Sequence, residues 1–172
     1  MGFPYPQGLL QSKVAIGGSG NLGDLGGSIN VQTASTAPGS TAEEVLYTYT
    51  IPANTFDKNG RFIWFWCQFL HASNANSVTA RLRLGGLTGT VLGTITSIVS
   101  AARLGLYGYV IRTASNAQKI CLEGHNGASG VNQPQVTDTQ TDTGTIALVM
   151  TGEAPTTATD ISAEAMVLQV GG

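Results

Sequence analysis

Residues 61–71 read RFIWFWCQFLH, and the two faces of this stretch decide the fold. Successive side chains of a β-strand point to opposite faces. Phe62, Trp64, Trp66 and Leu70 therefore share one side, and Ile63, Phe65, Cys67 and Phe69 share the other. A strand with one wet face alternates apolar and polar residues. This one is apolar on both, so it has to be covered twice: once by the protein's own core and once by something else. A second copy of the chain is the simplest something else.

Outward from this stretch, short β-rich runs follow one another between turn residues. They cover residues 45–51, 61–72, 77–84, 90–99, 104–112, 118–123, 133–137, 145–151 and 161–170. The breaks carry turn chemistry: Asp57-Lys58-Asn59-Gly60, Asn74-Ala75-Asn76, Gly85-Gly86 and Asn126-Gly127. Such spacing is the signature of an all-β sandwich or barrel. The expected fold is an antiparallel, jelly-roll-like β-sandwich of eight or nine strands. Residues 94–102 are the one stretch that could instead make about two helical turns.

Two further strands repeat the two-faced pattern. Leu104, Leu106 and Val110 oppose Tyr107, Tyr109 and Ile111, and Ala165 and Val167 oppose Met166, Leu168 and Val170. By contrast, residues 77–84 alternate in the ordinary way, with Val78, Ala80, Leu82 and Leu84 inward and Thr79, Arg81 and Arg83 outward. Three two-faced strands exceed what one sandwich buries, and a monomer would expose a large apolar patch. A symmetric homo-oligomer covers it; the alternative cover is the chain's own N-terminal segment. Trp64, Trp66, Phe65, Phe69, Tyr107, Tyr109, Met166 and Leu168 are thus expected at a subunit interface or in the core.

Residues 1–42 differ from the rest, with Pro4, Pro6, Pro38 and a Gly-rich stretch at 17–27. They read as an extended arm preceding a sandwich domain at 43–172. Leu9, Leu10, Val14, Ile16, Leu22 and Leu25 make it too apolar for an inert linker, so it is expected to dock on a neighbour; a flexible tether is the other reading.

Composition excludes several functions. Charged residues are 10% of the 172, against roughly 25% in ordinary soluble domains. Net charge is −2, which gives no footprint for nucleic acid. Arg81 and Arg83 share a strand face and could hold a phosphate or carboxylate, or simply pair in salt bridges. The first residues, MGFPYPQGLL, lack a signal-peptide pattern, and no apolar run approaches the ~20 residues of a membrane span. The expectation is a protein made in the cytoplasm, soluble, with neither a nucleic-acid nor a membrane partner.

Three patterns resemble chemical sites. Gly18-Ser19-Gly20-Asn21-Leu22-Gly23 satisfies GxGxxG, with Glu43 twenty residues after Gly23. Dinucleotide binding also needs a following helix, which Asp24-Leu25-Gly26-Gly27 breaks. Cys67 with His71 and Cys121 with His125 repeat a Cys-x3-His spacing. In a strand such a pair is ~13 Å apart, too far to share one zinc ion. The cysteines read as structural, or as a disulfide if their strands adjoin. No GxSxG elbow advertises a hydrolase. No cofactor, metal or catalytic residue is expected. An aromatic platform of Trp64, Trp66, Tyr107 and Tyr109 for sugar rings is the strongest alternative to a subunit interface.

Residues 47–86, YTYTIPANTFDKNGRFIWFWCQFLHASNANSVTARLRLGG, carry a resemblance. A Tyr-Thr strand with a Pro-Ala-Asn exit is followed by an Asn-Gly turn, an apolar strand, an Asn-Ala-Asn turn and a strand ending Gly-Gly. This order resembles the β-sandwich structural proteins of tailed-bacteriophage particles. The resemblance implies a non-enzymatic virion protein: a trimeric capsid decoration or cement protein binding the major capsid protein, or a tail or fibre component binding a host receptor or glycan. It offers no catalytic residues. The aromatic Trp64-Phe65-Trp66 and the long Gly-rich arm depart from the pattern.

Overall fold

In the computed structural model the described residues are 28–172, with side chains from residue 31 onward. They form eleven strands in two antiparallel sheets: β1 (Ser28–Gln32), β2 (Glu44–Ile51), β3 (Phe62–His71), β4 (Val78–Leu84), β5 (Thr90–Ser97), β6 (Arg103–Ala114), β7 (Ala117–Asn126), β8 (Ser129–Val131), β9 (Val136–Asp138), β10 (Ile146–Glu153) and β11 (Ile161–Gly171). One sheet runs β1-β11-β3-β6-β7-β8, with β9 also on β7, and the other runs β2-β10-β4-β5.

The pairing is that of one long hairpin rolled up. β1 pairs with β11, β2 with β10, β3 with β6, and β4 with β5. β11 against β3 and β10 against β4 then close each sheet. This nested order is a jelly roll, and β7, β8 and β9 are an addition that widens one sheet. The expected sandwich is therefore present, with eleven strands where eight or nine were expected. β1 and β8 are the additional ones. β1 lies inside the stretch read as an arm, yet it is the first strand of the roll.

The turns form where the sequence places them, because backbone that must turn left-handed takes glycine or asparagine. Gly60 and Gly85 have φ of 86° and 93°, and Asn54 in the Pro-Ala-Asn exit has φ of 62°. The possible helix at 94–102 is not formed. Ile95 is buried while Ile98 and Val99 are exposed, so this stretch has no helical stripe. β5 runs on to Ser97 against β4, and Ala101, at φ 54°, turns the chain back.

The core lies between the sheets. Ile63, Phe65, Cys67, Phe69, Leu104, Leu106, Met166 and Leu168 meet Leu82, Leu84, Leu148 and Met150 there, each fully buried. β5, an edge strand, is guarded by a side chain. Gln133 accepts from Thr94 N at 3.0 Å and donates to Thr94 O at 2.9 Å. One amide thus occupies both backbone groups of Thr94, in the middle of the edge that a foreign strand would use.

Candidate functional site

The two sheets turn different chemistry outward. On the four-stranded sheet the outer face is threonine and ion pairs. Arg83 forks onto Glu43 at 2.7 and 2.8 Å. Arg81 reaches Glu43 at 3.2 Å and Glu153 at 2.8 Å, and Thr151 donates to Glu43 at 2.5 Å. The carboxylate that the arginine pair holds is therefore the chain's own. Burial raises the Glu43 pKa, but the Arg83 fork, the Thr151 hydroxyl and the charges of Arg81 and Arg83 outweigh it and hold the group below its ordinary value of 4.5. A carboxylate depressed in the folded state stabilises the fold above its unfolded pKa, and that contribution is lost as pH falls through the folded value. Denaturation midpoints are thus expected to fall as pH drops below about 4.5, and Glu43→Gln is expected to flatten that acid limb. Urea titrations from pH 7 to pH 3 measure it.

The seven-stranded sheet turns aromatic residues outward. Strand β3 alternates strictly: Ile63, Phe65, Cys67, Phe69 and His71 are buried, and Phe62, Trp64, Trp66, Gln68 and Leu70 are half-buried on the outside. Register places the outer residues in rows. Gly171, Phe62, Ile111 and Lys119 form one; Gln169, Trp64, Tyr109 and Cys121 the next; Val167, Trp66, Tyr107 and Glu123 a third. Val31 of β1 extends the third row and is 57% exposed; Tyr109 is 40% exposed.

Local contacts hold the aromatic groups in place. The Tyr107 hydroxyl donates to Glu123 at 2.7 Å, which pushes the phenol pKa up. Tyr107 and His125 lie with centroids 6.3 Å apart, and Phe62 meets Tyr109 edge-on at 6.5 Å. The His125 ring occupies the space over Gly105, where a Cβ would come within 1.8 Å of it. The face is an aromatic floor with Gln169 of β11 beside it on one side, Lys119 and Glu123 of β7 on the other, and Gln68 beyond Trp66 on β3.

The eight residues expected at an interface or in the core are thereby sorted. Phe65, Phe69, Met166 and Leu168 are core, while Trp64, Trp66, Tyr107 and Tyr109 are outward. Leu9, Leu10, Val14, Ile16, Leu22 and Leu25, together with the GxGxxG pattern, lie outside the described residues. The two Cys-x3-His pairs do not converge. Cys67 and His71 point into the core from β3, whereas Cys121 and His125 point outward from β7. Both cysteines are free, which answers the disulfide question, and burial pushes the Cys67 thiol far up. Both ring nitrogens of His71 are buried without a hydrogen-bond partner among the described residues.

A polar joint that the sequence does not announce sits at one end of the sandwich. Asp142 accepts from Arg112 at 2.7 Å, from the Asn116 backbone at 2.7 Å and from the Gln118 side chain at 2.9 Å. Its own N donates to Asn116 Oδ1 at 2.9 Å, and its carbonyl accepts from Asn54 N at 2.9 Å. This joint ties the β9–β10 loop to the β6–β7 hairpin and to the exit from β2.

No family model and no curated protein matches the chain. Among solved structures it is similar to the CBM2 module of the evolved Dit of Lactobacillus casei BL23 phage J-1, with TM-score 0.35 and 11% identity over 71% of this chain and 67% of that one. It is also similar to the infectious bursal disease virus VP2 subviral particle, with TM-score 0.31 and 16% identity over 82% of this chain and 32% of that one. The Gx strain of that virus gives TM-score 0.30 and 17% identity, over 82% of this chain and 30% of that one. The chain thus spans less than a third of the length of those two viral chains. These are coarse likenesses between β-rich folds.

Proposed function

We propose that this chain is a non-enzymatic structural protein of a bacteriophage particle, a capsid decoration or cement protein that binds the shell as a symmetric homo-oligomer. The observation that carries the reading is the half-buried aromatic face of the seven-stranded sheet, in a chain with only 10% charged residues. Trp, Tyr and Phe on a face with few charges have the composition of an interface core. The other sheet, with its threonines and internally satisfied ion pairs, is the face left to solvent. The family resemblance of residues 47–86 supplies the virion setting.

In this reading the sheet face joins subunits, and the segment before β1 engages the major capsid protein. That segment holds the six residues expected to dock, Leu9, Leu10, Val14, Ile16, Leu22 and Leu25. A short apolar segment need bind only weakly at each site, because repetition over many copies sums the contacts. The copy number of the chain in purified particles, by quantitative mass spectrometry against the main shell protein, tests this. A simple ratio to the shell protein is expected, and absence from particles contradicts it.

The aromatic floor with its polar margin favours one second reading: a tail or fibre component that stacks sugar rings on Trp64, Trp66, Tyr107 and Tyr109. A handful of copies per particle, with glycan binding lost in Trp64→Ala, is the result it requires.

A further inference from the structure

We infer that the outer face of the seven-stranded sheet pairs with the same face of a second copy, about a two-fold axis lying across the strands along the row Trp64, Tyr109 and Cys121. This rests on the homo-oligomer reading above and adds the symmetry and the register of the contact.

The argument is one of self-complementarity. An isologous contact requires that a patch match itself under a two-fold rotation. An axis across the strands reverses strand direction and keeps strand order. The row before the axis then falls on the row after it. Phe62 meets Trp66 of the second copy, Trp64 meets Trp64, and Lys119 meets Glu123. Lys119 and Glu123 flank Cys121 on the outward side of β7, so both charges find a partner twice over.

An axis along the strands fails the same test. It keeps each row and mirrors strand order. Depending on its position, Lys119 then meets itself, Ile111, Phe62 or Gly171 of the second copy. Like charges or a buried unpaired charge disfavour all four.

The three rows from Phe62 to Trp66, which the axis maps onto one another, run roughly 14 Å, and four strands from β11 to β7 span roughly 19 Å. This is about 260 Å² in projection, so an interface near the ~800 Å² per partner of stable complexes also needs the flanking rows of Gly60 and Gln68 and the relief of the aromatic side chains. Two such sheets face to face also form an aligned packing of the usual kind. The three copies implied by the resemblance would need a heterologous contact, which leaves this self-match unused.

The test is sedimentation equilibrium of the full chain with Lys119→Glu, Glu123→Lys and the double exchange, each checked by its melting curve. The expected wild type is a dimer. Either single exchange sets like charges opposite each other and is expected to raise the dissociation constant about tenfold or more. The double exchange is expected to restore it to within a few-fold. A monomeric wild type overturns the homo-oligomer reading itself. A trimer, an oligomer indifferent to the single exchanges, or a double exchange no better than the singles overturns the two-fold pairing alone.

Discussion

Trp64→Ala combined with Trp66→Ala is expected to separate the subunits and leave each one folded, whereas Phe65→Ala, the residue between them, is expected to cost the fold a large part of its stability. The three side chains are consecutive on β3, and all are large and aromatic. They differ in direction: Phe65 is fully buried between the sheets, and the tryptophans stand on the outer face. Truncating a fully buried Phe costs about 3–5 kcal/mol in lost transfer energy and residual cavity. A domain typically has about 5–15 kcal/mol in all. Truncating a half-buried outer Trp leaves no cavity in the core. Central aromatic anchors of interfaces cost about 2 kcal/mol or more each when removed, close to a thirtyfold loss of affinity apiece. Urea denaturation and sedimentation on the same samples separate the two effects. Comparable loss of fold stability in both variants would contradict the sorting into core and surface.

Asp142→Ala is expected to cost about 3–5 kcal/mol, the usual result of removing one partner from a buried charged pair. Asp142 and Gln118 are 7% and 1% exposed, and both lean on the same carboxylate network. Removing the carboxylate leaves Arg112 Nε, the Asn116 backbone N and one Gln118 donor without their acceptor, at a site that water reaches poorly, although Arg112 keeps its bond to Asn59 Oδ1. At about 2–4 °C per kcal/mol for a chain of this length, the melting temperature should fall by roughly 6–20 °C. Asp142→Asn, which keeps the shape and part of the hydrogen bonding, should lose less. A loss below about 1 kcal/mol for the alanine variant would mean that the joint is not structural.

The strands were legible where alternation was strict. β3 and β4 fall within a residue or so of the stretches read from the sequence, because burial there follows a period of two. β1 was hidden because SINVQ is short and sits beside a glycine-rich run; its strand character comes from pairing with β11, not from its own composition. The sequence also could not say which side of β3 faces the core. Both sides are apolar, and the two polar residues point opposite ways: Gln68 marks the outer face correctly, while His71 is buried. Packing decides it, through Leu82, Leu84, Leu148 and Met150 on the opposing sheet.

The remaining features of the site depend on contacts remote in sequence. Arg81 and Arg83 do pair in salt bridges, one of the two readings of their shared face, but the identity of the partners, Glu43 and Glu153, comes only from the fold. Gln133 gave no signal of guarding β5, nor Asp142 of joining three loops. In each case the meaning of the residue lies in a partner that only topology supplies.

The central claim, that the aromatic face is covered by another protein surface, has a built-in reporter. The chain contains two tryptophans, Trp64 and Trp66, and both lie on that face. Acrylamide quenching of their fluorescence, followed across a dilution series with circular dichroism to confirm folding, tests the claim most directly. The account predicts shielded tryptophans in concentrated protein and a rise in quenching on dilution while the β-sheet signal stays constant. Tryptophans equally open to acrylamide at every concentration would contradict it.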